Sequence, residues 1–159
     1  MTKFEELEQV IHSLRAPDGC PWDRVQTHET LKKTCIEEAC EVICGINMLK
    51  ETGNPENLKE ELGDLLLQVI FQTQLAEEEG HFTMEEMIQG VIDKMVRRHP
   101  HVFAEHKPHY ATVEEERAAW EEMKKKEKEG KVPEGDYLKE AFDESIELIH
   151  VAKRRKHFE

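Results

Sequence analysis

The apolar positions of the chain recur with the period of an α-helix. Leu31, Cys35, Val42, Ile46 and Leu49 form one such stripe, with the spacing of a helix face. Residues 65–71 are apolar almost all round, which is typical of a helix in the middle of a bundle. Alternating strand patterns and hairpin dipeptides are not evident. The sequence therefore predicts an all-α helical bundle.

Capping residues and glycines divide this pattern into elements. Thr2 and Glu5 have the spacing of a capping box, which marks a helix start. Gly53, Gly80 and Gly130 fall where helices should end, because glycine readily adopts the left-handed conformation that closes a helix. Six helices are predicted, at about 3–15, 28–51, 55–79, 83–98, 113–129 and 136–156.

Composition narrows the classes of function. The 159 residues carry a net charge of −13, and 36% of them are charged, a composition that suits either a thin helical protein or one that completes its core by oligomerising. The acidic surface disfavours nucleic acid and anionic membranes as partners. The first residues carry no apolar signal segment, which predicts a cytoplasmic protein. Its four cysteines are expected to be reduced.

Four carboxylates lie where an apolar core would be expected. Glu38 interrupts the apolar stripe of the second predicted helix, and Glu41 follows one turn later. Glu61 and Asp64 have the same spacing in the next helix, and side chains three residues apart project from neighbouring positions. The short connection between the two helices predicts an antiparallel pair. This central pair would bring the four acids together.

Carboxylates that converge in a partly buried place repel one another, so each must take up a proton or find a cation. Oxygen ligands favour a hard ion such as Mg²⁺, with Mn²⁺ as a substitute. Mg²⁺ commonly shares its coordination with substrate phosphates. Spacing alone leaves open whether these acids form a metal site or decorate an acid-rich helix.

Two other classes of protein compete with this interpretation. A di-iron carboxylate bundle requires Glu-x-x-His pairs, which occur at Glu78 with His81 and at Glu147 with His150. A non-catalytic nucleotide-binding or helical adaptor protein needs no complete ligand set. A zinc site at His99 and His101 is disfavoured, because the sequence offers no matching Cys and no third ligand nearby in a metal-like pattern.

Longer segments carry a resemblance to a known family. Glu37-Glu38-Ala-Cys-Glu41, followed by Glu61-Leu-Gly-Asp64, resembles the signature of MazG-type nucleoside triphosphate pyrophosphohydrolases, members of the all-α NTP pyrophosphatase superfamily. Residues 14–31, 60–69 and 93–103 are also similar to family segments. The resemblance covers about residues 4–128. It implies a MazG-like domain at 1–130 and a C-terminal helical extension at 131–159.

The resemblance implies an activity and a set of site residues. The family hydrolyses nucleoside triphosphates, NTP or dNTP, between the α and β phosphates, which yields a nucleoside monophosphate and pyrophosphate. The implied Mg²⁺ ligands are Glu38, Glu41, Glu61 and Asp64. The other implied residues are Glu37, either to support the metal ligands from outside or to orient the attacking water, Lys94, Arg97 and Arg98 to hold the phosphates, and Trp120 to contact the base or sugar. Glu37, Glu38 and Arg98 are the expected catalytic residues.

Two features remain open at this stage. Trp22 either closes over the nucleotide or plugs the end of the bundle. The basic run at 153–156 reads most simply as the last turn of a helix, where positive charge complements the helix dipole.

Overall fold

The computed structural model describes residues 1–130 and 134–158, and within these ranges every regular element is a helix. In chain order they are α1 (Lys3–Arg15), α2 (Pro21–Arg24), α3 (His28–Thr52), α4 (Glu56–Glu78), α5 (Met84–Arg98), α6 (Pro100–Phe103), α7 (Val113–Lys128) and α8 (Gly135–Arg155). The all-α prediction is confirmed. None of the helices in the described ranges is both long and apolar enough to cross a membrane. The predicted cytoplasmic location stays a prediction.

The six long helices agree with the sequence analysis, and two short ones were missed. Pro21–Arg24 and Pro100–Phe103 have four residues each, too few for a helical period to be recognised. Each begins with a proline in the first turn, where the absent N–H costs nothing. Both segments were therefore interpreted as loops. Part of the predicted C-terminal extension, residues 131–133 and 159, lies outside the described residues.

Local hydrogen bonds and backbone angles explain where helices begin and end. The Glu5 N–H donates to Thr2 Oγ1 at 3.2 Å, and the Thr2 N–H donates to Glu5 Oε2 at 2.6 Å, which confirms the capping box. Gly53 and Gly80 have φ angles of 72° and 74°, a region that side chains with a Cβ disfavour. Both therefore close the preceding helix as predicted.

The chain forms two compact units, which are described separately. The first comprises Met1–Met84 with Glu140–Glu159, and the second comprises Glu85–Lys139. The buried apolar side chains all belong to the first unit: Ile11, Leu31, Ile70, Phe71, Leu75, Ala76 and Met84. Most of them come from α4, which explains why this helix is apolar on nearly all sides.

Helices α3 and α4 approach each other closely within the first unit. A Cβ placed on Gly45 would lie 2.8 Å from the Leu58 Cα, so only glycine fits there without a backbone shift. Further along, the Thr34 hydroxyl donates to Gln68 Oε1 at 2.9 Å. The two helices that carry the predicted metal ligands are thus held in direct contact.

Arg15 joins α1 to two other parts of the first unit. Its Nε and Nη2 donate to the Glu78 carboxylate at 2.7 and 2.6 Å, and its Nη1 donates to the Asp23 carbonyl at 2.6 Å. The guanidinium carbon also lies 5.5 Å from the centre of the Phe71 ring. The hydrogen bond from Arg15 lowers the pKa of Glu78. The Arg15 side chain is only 9% exposed, and its fork fixes the end of α4 against α1 and α2.

The close approach at Gly45 makes a testable prediction. Replacing Gly45 with alanine should lower the free energy of unfolding by about 1–2 kcal/mol, because the new methyl group meets the α4 backbone. The matched substitution Gly63→Ala in α4 has nothing within 4 Å of the added Cβ and should raise it by about 0.5–1 kcal/mol through helix propensity. Urea unfolding without metal measures both, and equal effects would contradict the close approach.

Candidate metal centre

Three carboxylates from α3 and α4 converge in the first unit. One ligand oxygen from each of Glu38, Glu61 and Asp64 lies within 4.8 Å of the other two. Glu38 comes from α3, whereas Glu61 and Asp64 lie three residues apart on α4, so the contact between the two helices assembles the group. Spacing in the sequence had predicted this convergence for these three residues.

The three acids strain one another electrostatically. Burial raises the pKa of Glu38, and the negative charges of Asp64, Glu61 and Glu37 raise it further. The ammonium group of Lys156 acts in the opposite direction. Glu38 therefore holds its proton more strongly than an ordinary glutamate, unless a cation supplies the missing positive charge.

Asn57 places an amide oxygen, a further possible ligand atom for a metal ion, beside this group. Asn57 Nδ2 donates to Glu61 Oε1 at 2.9 Å, which fixes the orientation of the amide. Asn57 Oδ1 is buried and has no hydrogen-bond partner among the residues that the structure describes. Carboxylate oxygens with an unsatisfied amide oxygen nearby suit a hard divalent cation such as Mg²⁺ or Mn²⁺. The residues present fit the ion that the sequence analysis predicted.

Glu37 and Glu41 are occupied by basic residues from the C-terminal end of the chain. Arg155 Nη2 donates to both carboxylate oxygens of Glu37 at 2.6 Å. Lys156 forms an ion pair with Glu41, which lies outside the three-carboxylate group. A role for Glu41 as a metal ligand stays a prediction. Neither pairing was predicted from the sequence, although the basic run at 153–156 was the available signal.

The predicted phosphate-binding residues on α5 belong to the second unit. Arg97 Nε donates to Glu127 Oε1 at 2.8 Å, and Arg98 Nε donates to Glu127 Oε2 at 3.0 Å. Hydrogen bonds from Arg98 and then Arg97 lower the pKa of Glu127 to about 2. The Arg98 guanidinium carbon lies 5.3 Å from the centre of the Trp120 ring. Three of the predicted substrate-binding residues thus form one cluster with Glu127.

Lys94 and Trp22 are the two remaining residues predicted to bind substrate. Lys94 is half-buried on α5. Trp22 lies on α2 in the first unit and is 56% exposed. An indole this exposed does not fill the core of the unit. This exposure gives less support to the interpretation that Trp22 plugs the end of the bundle than to the interpretation that it closes over the nucleotide.

The fold and the site together define a class of all-helical proteins whose carboxylates suit a hard divalent cation. A family model described as the MazG nucleotide pyrophosphohydrolase domain matches residues 26–103. The crystal structure of a mazG-related protein from Thermotoga maritima is 31% identical, with a TM-score of 0.58, and the match covers 76% of this chain and 98% of that one. The chain belongs to the MazG family.

Named relatives extend the comparison. The nucleoside triphosphate pyrophosphohydrolase/pyrophosphatase MazG of Thermotoga maritima is 47% identical over 79% of this chain and 45% of its own length. The nucleoside triphosphate pyrophosphohydrolase of Escherichia coli K12 is 39% identical over 80% of this chain and 47% of its own length. The chain thus spans less than half the length of these two relatives.

The repulsion at Glu38 makes a testable prediction about stability. Glu38→Gln should raise the free energy of unfolding of the metal-free protein by about 0.5–1 kcal/mol at pH 7, because a neutral amide relieves the like-charge contacts. The gain should vanish as the pH falls through the raised pKa of Glu38, since the wild-type carboxyl is then neutral as well. Urea unfolding in EDTA measures it. The adjacent, exposed Glu60→Gln is the control, and an equal gain there would contradict the local repulsion.

Glu127 supports a prediction about pH. Its pKa in the folded protein is about 2, against an ordinary value of 4.5. Its ion pairs should therefore contribute their full stability above about pH 4.5 and lose it as the pH falls through about 2. Carboxyl ¹³C chemical shifts measure this titration, and Arg98→Gln should move the pKa upwards. A carboxyl that titrates near 4.5 in the unmodified protein would contradict the pairing.

Proposed function

We propose that this chain hydrolyses nucleoside triphosphates, NTP or dNTP, between the α and β phosphates with the help of Mg²⁺. The observation that carries the proposal is the group formed by Glu38, Glu61 and Asp64, whose ligand oxygens lie within 4.8 Å of one another. Support comes from the relatives named nucleoside triphosphate pyrophosphohydrolase. Such a group needs a cation, and a cation held by so few protein ligands has positions left for phosphate oxygens.

In the proposed reaction, water adds to the α-phosphorus and the bond from that phosphorus to the bridging oxygen breaks. The hydroxyl group remains on the nucleoside monophosphate, and the bridging oxygen leaves with pyrophosphate. Bound Mg²⁺ would supply charge neutralisation and would acidify a coordinated water. Glu38, Glu61 and Asp64 would hold the ion, and Glu41 would join them after releasing Lys156. Glu37, whose carboxylate Arg155 already orients, would position the attacking water.

The roles of the second-unit residues are proposed from the family resemblance and not from their position. Lys94, Arg97 and Arg98 would bind the phosphates, for which the planar guanidinium fork is well suited. Arg98 would exchange Glu127 for a phosphate oxygen. Trp120, which packs against Arg98 at 5.3 Å, would contact the base or sugar. The exposed Trp22, which belongs to the first unit, is proposed for the same role.

The two competing classes receive less support. In the di-iron alternative Glu78 would be a metal ligand, but both of its carboxylate oxygens accept hydrogen bonds from Arg15. A non-catalytic nucleotide-binding or helical adaptor protein has no need for a carboxylate such as Glu38, whose pKa is raised by burial and by the charges of Asp64, Glu61 and Glu37.

Two structural expectations belong to the same proposal. An antiparallel arrangement of α3 and α4 is supported by their contacts, since Thr34 meets Gln68 and the later residue Gly45 meets the earlier residue Leu58. A homodimer or homotetramer is supported by exposed apolar side chains along α5, namely Ile88, Val91, Ile92 and Met95. Light scattering after size exclusion would measure the number of chains.

Release of pyrophosphate tests the proposed activity. The wild-type protein with Mg²⁺ should release pyrophosphate and nucleoside monophosphate from at least one member of a panel of standard, deoxy, oxidised and deaminated nucleotides. Glu61→Gln and Asp64→Asn should each lower kcat/KM by at least about 100-fold, because removing even an outer-shell partner of a metal ligand commonly costs 10–100-fold.

The controls separate the activity from the site. Glu60→Gln removes a neighbouring exposed carboxylate and should leave kcat/KM within about two-fold of wild type. No turnover on any nucleotide would overturn the proposed activity. Turnover that persists in Glu61→Gln and Asp64→Asn would overturn the proposed site. Orthophosphate as the product in place of pyrophosphate would overturn the assigned bond.

A further inference from the structure

The C-terminal end of α8 reaches the acidic residues of α3. Arg155 is 56% exposed at its side chain, whereas the Glu37 side chain that it contacts is only 9% exposed. The guanidinium thus inserts from the solvent side towards a buried carboxylate and meets both of its oxygens at 2.6 Å. One residue further on, Lys156 pairs with Glu41. The last turn of α8 is therefore anchored on two acids of the MazG signature.

A cavity of about 400 Å³ lies between α3 and this end of α8, within the range of small-molecule sites. Its charged lining consists of Glu37, Glu41, Glu61, Lys153 and Lys156, and its apolar lining includes Ile36, Cys40, Ile149 and Phe158. Glu61 also belongs to the three-carboxylate group. The cavity therefore opens directly beside the candidate metal centre, with cations on its α8 side.

The balance of charge explains why cations are needed there. The acids at the site are Glu37, Glu38, Glu41, Glu61 and Asp64, and one divalent ion neutralises only part of their charge. A polyphosphate that approached this arrangement would be repelled. Lys153, Arg155 and Lys156 bring three positive charges to the same place, enough to offset the remainder. Cations are also the groups that form charge-assisted hydrogen bonds to phosphate oxygens.

We propose that Lys153, Arg155 and Lys156 bind the phosphates of the nucleotide at this site. In the free protein, Glu37 and Glu41 hold two of these cations beside the metal centre. On binding a nucleotide, these cations would exchange the carboxylates for phosphate oxygens, which would free Glu41 to help hold the ion and Glu37 to position the attacking water. This assignment rests on the proposed function and adds to it substrate-binding residues that lie beyond the matched family segment.

Binding of inorganic tripolyphosphate tests this assignment without any assumption about the base. In the presence of Mg²⁺, isothermal titration calorimetry should show that Arg155→Gln and Lys156→Gln each weaken binding by about 10-fold or more, as expected for a lost charge-assisted hydrogen bond. Arg155→Lys should retain part of the affinity. The matched control Arg154→Gln removes the same charge from the same turn, at an exposed residue that, unlike Arg155, pairs with neither Glu37 nor Glu41, and should stay within about two-fold.

Binding of Mn²⁺ without polyphosphate separates phosphate contacts from damage to the carboxylates. In Arg155→Gln and Lys156→Gln the Mn²⁺ affinity should be equal to or tighter than that of wild type, because a competing cation has been removed. Weaker Mn²⁺ binding would overturn a direct role in phosphate binding. Unchanged melting temperatures confirm that the variants fold.

The remaining outcomes are decisive as well. Equal tripolyphosphate affinity in the variants, or failure of wild type to bind it, would overturn the assignment. Tighter tripolyphosphate binding in the variants would overturn it too and would identify α8 as a segment that blocks the site. Pyrophosphate release by wild type, measured on the nucleotide panel, tests the proposed function separately. If wild type turns over a nucleotide but Arg155→Gln and Lys156→Gln keep their tripolyphosphate affinity, only the role of the α8 cations is overturned.

Discussion

Mutual repulsion among the carboxylates of α3 and α4 is the constraint on which the rest of the first unit depends. The close approach of the helices at Gly45 and Leu58 brings Glu38 next to Glu61 and Asp64, where charges are costly to desolvate. Three of the acids in this region have a partner close by. Asn57 donates to Glu61, Arg155 to Glu37 and Lys156 to Glu41. The pKa of Glu38 is raised by burial and by its acidic neighbours, and the charge of Lys156 only partly offsets this.

The ion pairs of the first unit fall into two kinds. Arg15 has a side chain only 9% exposed and bonds in a fork to Glu78, so breaking this pair would leave a charge uncompensated in a partly buried place. Arg155 has the reverse distribution, since its own side chain is 56% exposed and the Glu37 side chain that it contacts is 9% exposed. Withdrawing Arg155 would therefore leave a buried carboxylate uncompensated unless another cation replaced it. The first pair holds the scaffold with a buried cation, whereas the second presents an exposed cation that another positive charge can replace. Such a division suits a site whose counter-charges must change during a reaction.

Local patterns in the sequence predicted most of the fold. Helical period, the capping box at Thr2 and the closing glycines each act within a few residues, so the six long helices could be recognised. The three converging carboxylates followed from spacing on consecutive helices. The pairing of Arg155 with Glu37 spans 118 positions, and no local rule encodes such a contact. Asn57 and Glu127 were missed for a related reason: their importance comes from the neighbours that the fold gives them.

In each of the two sets of basic residues proposed for phosphate binding, two residues are already paired with glutamates. Arg97 and Arg98 donate to Glu127 in the second unit, and Arg155 and Lys156 pair with Glu37 and Glu41 in the first. A guanidinium or ammonium held by a carboxylate is oriented before any ligand arrives, which lowers the conformational entropy lost on binding. Exchanging a carboxylate for a phosphate keeps the number of charge-assisted hydrogen bonds, so the net cost lies mainly in the carboxylate that is released. At Glu37 and Glu41 that cost is recovered when a divalent cation takes over the freed negative charge. Metal and phosphate would then bind cooperatively at the proposed site. Phosphate would take over the cations from Glu37 and Glu41, and the metal ion would neutralise the carboxylates that are released.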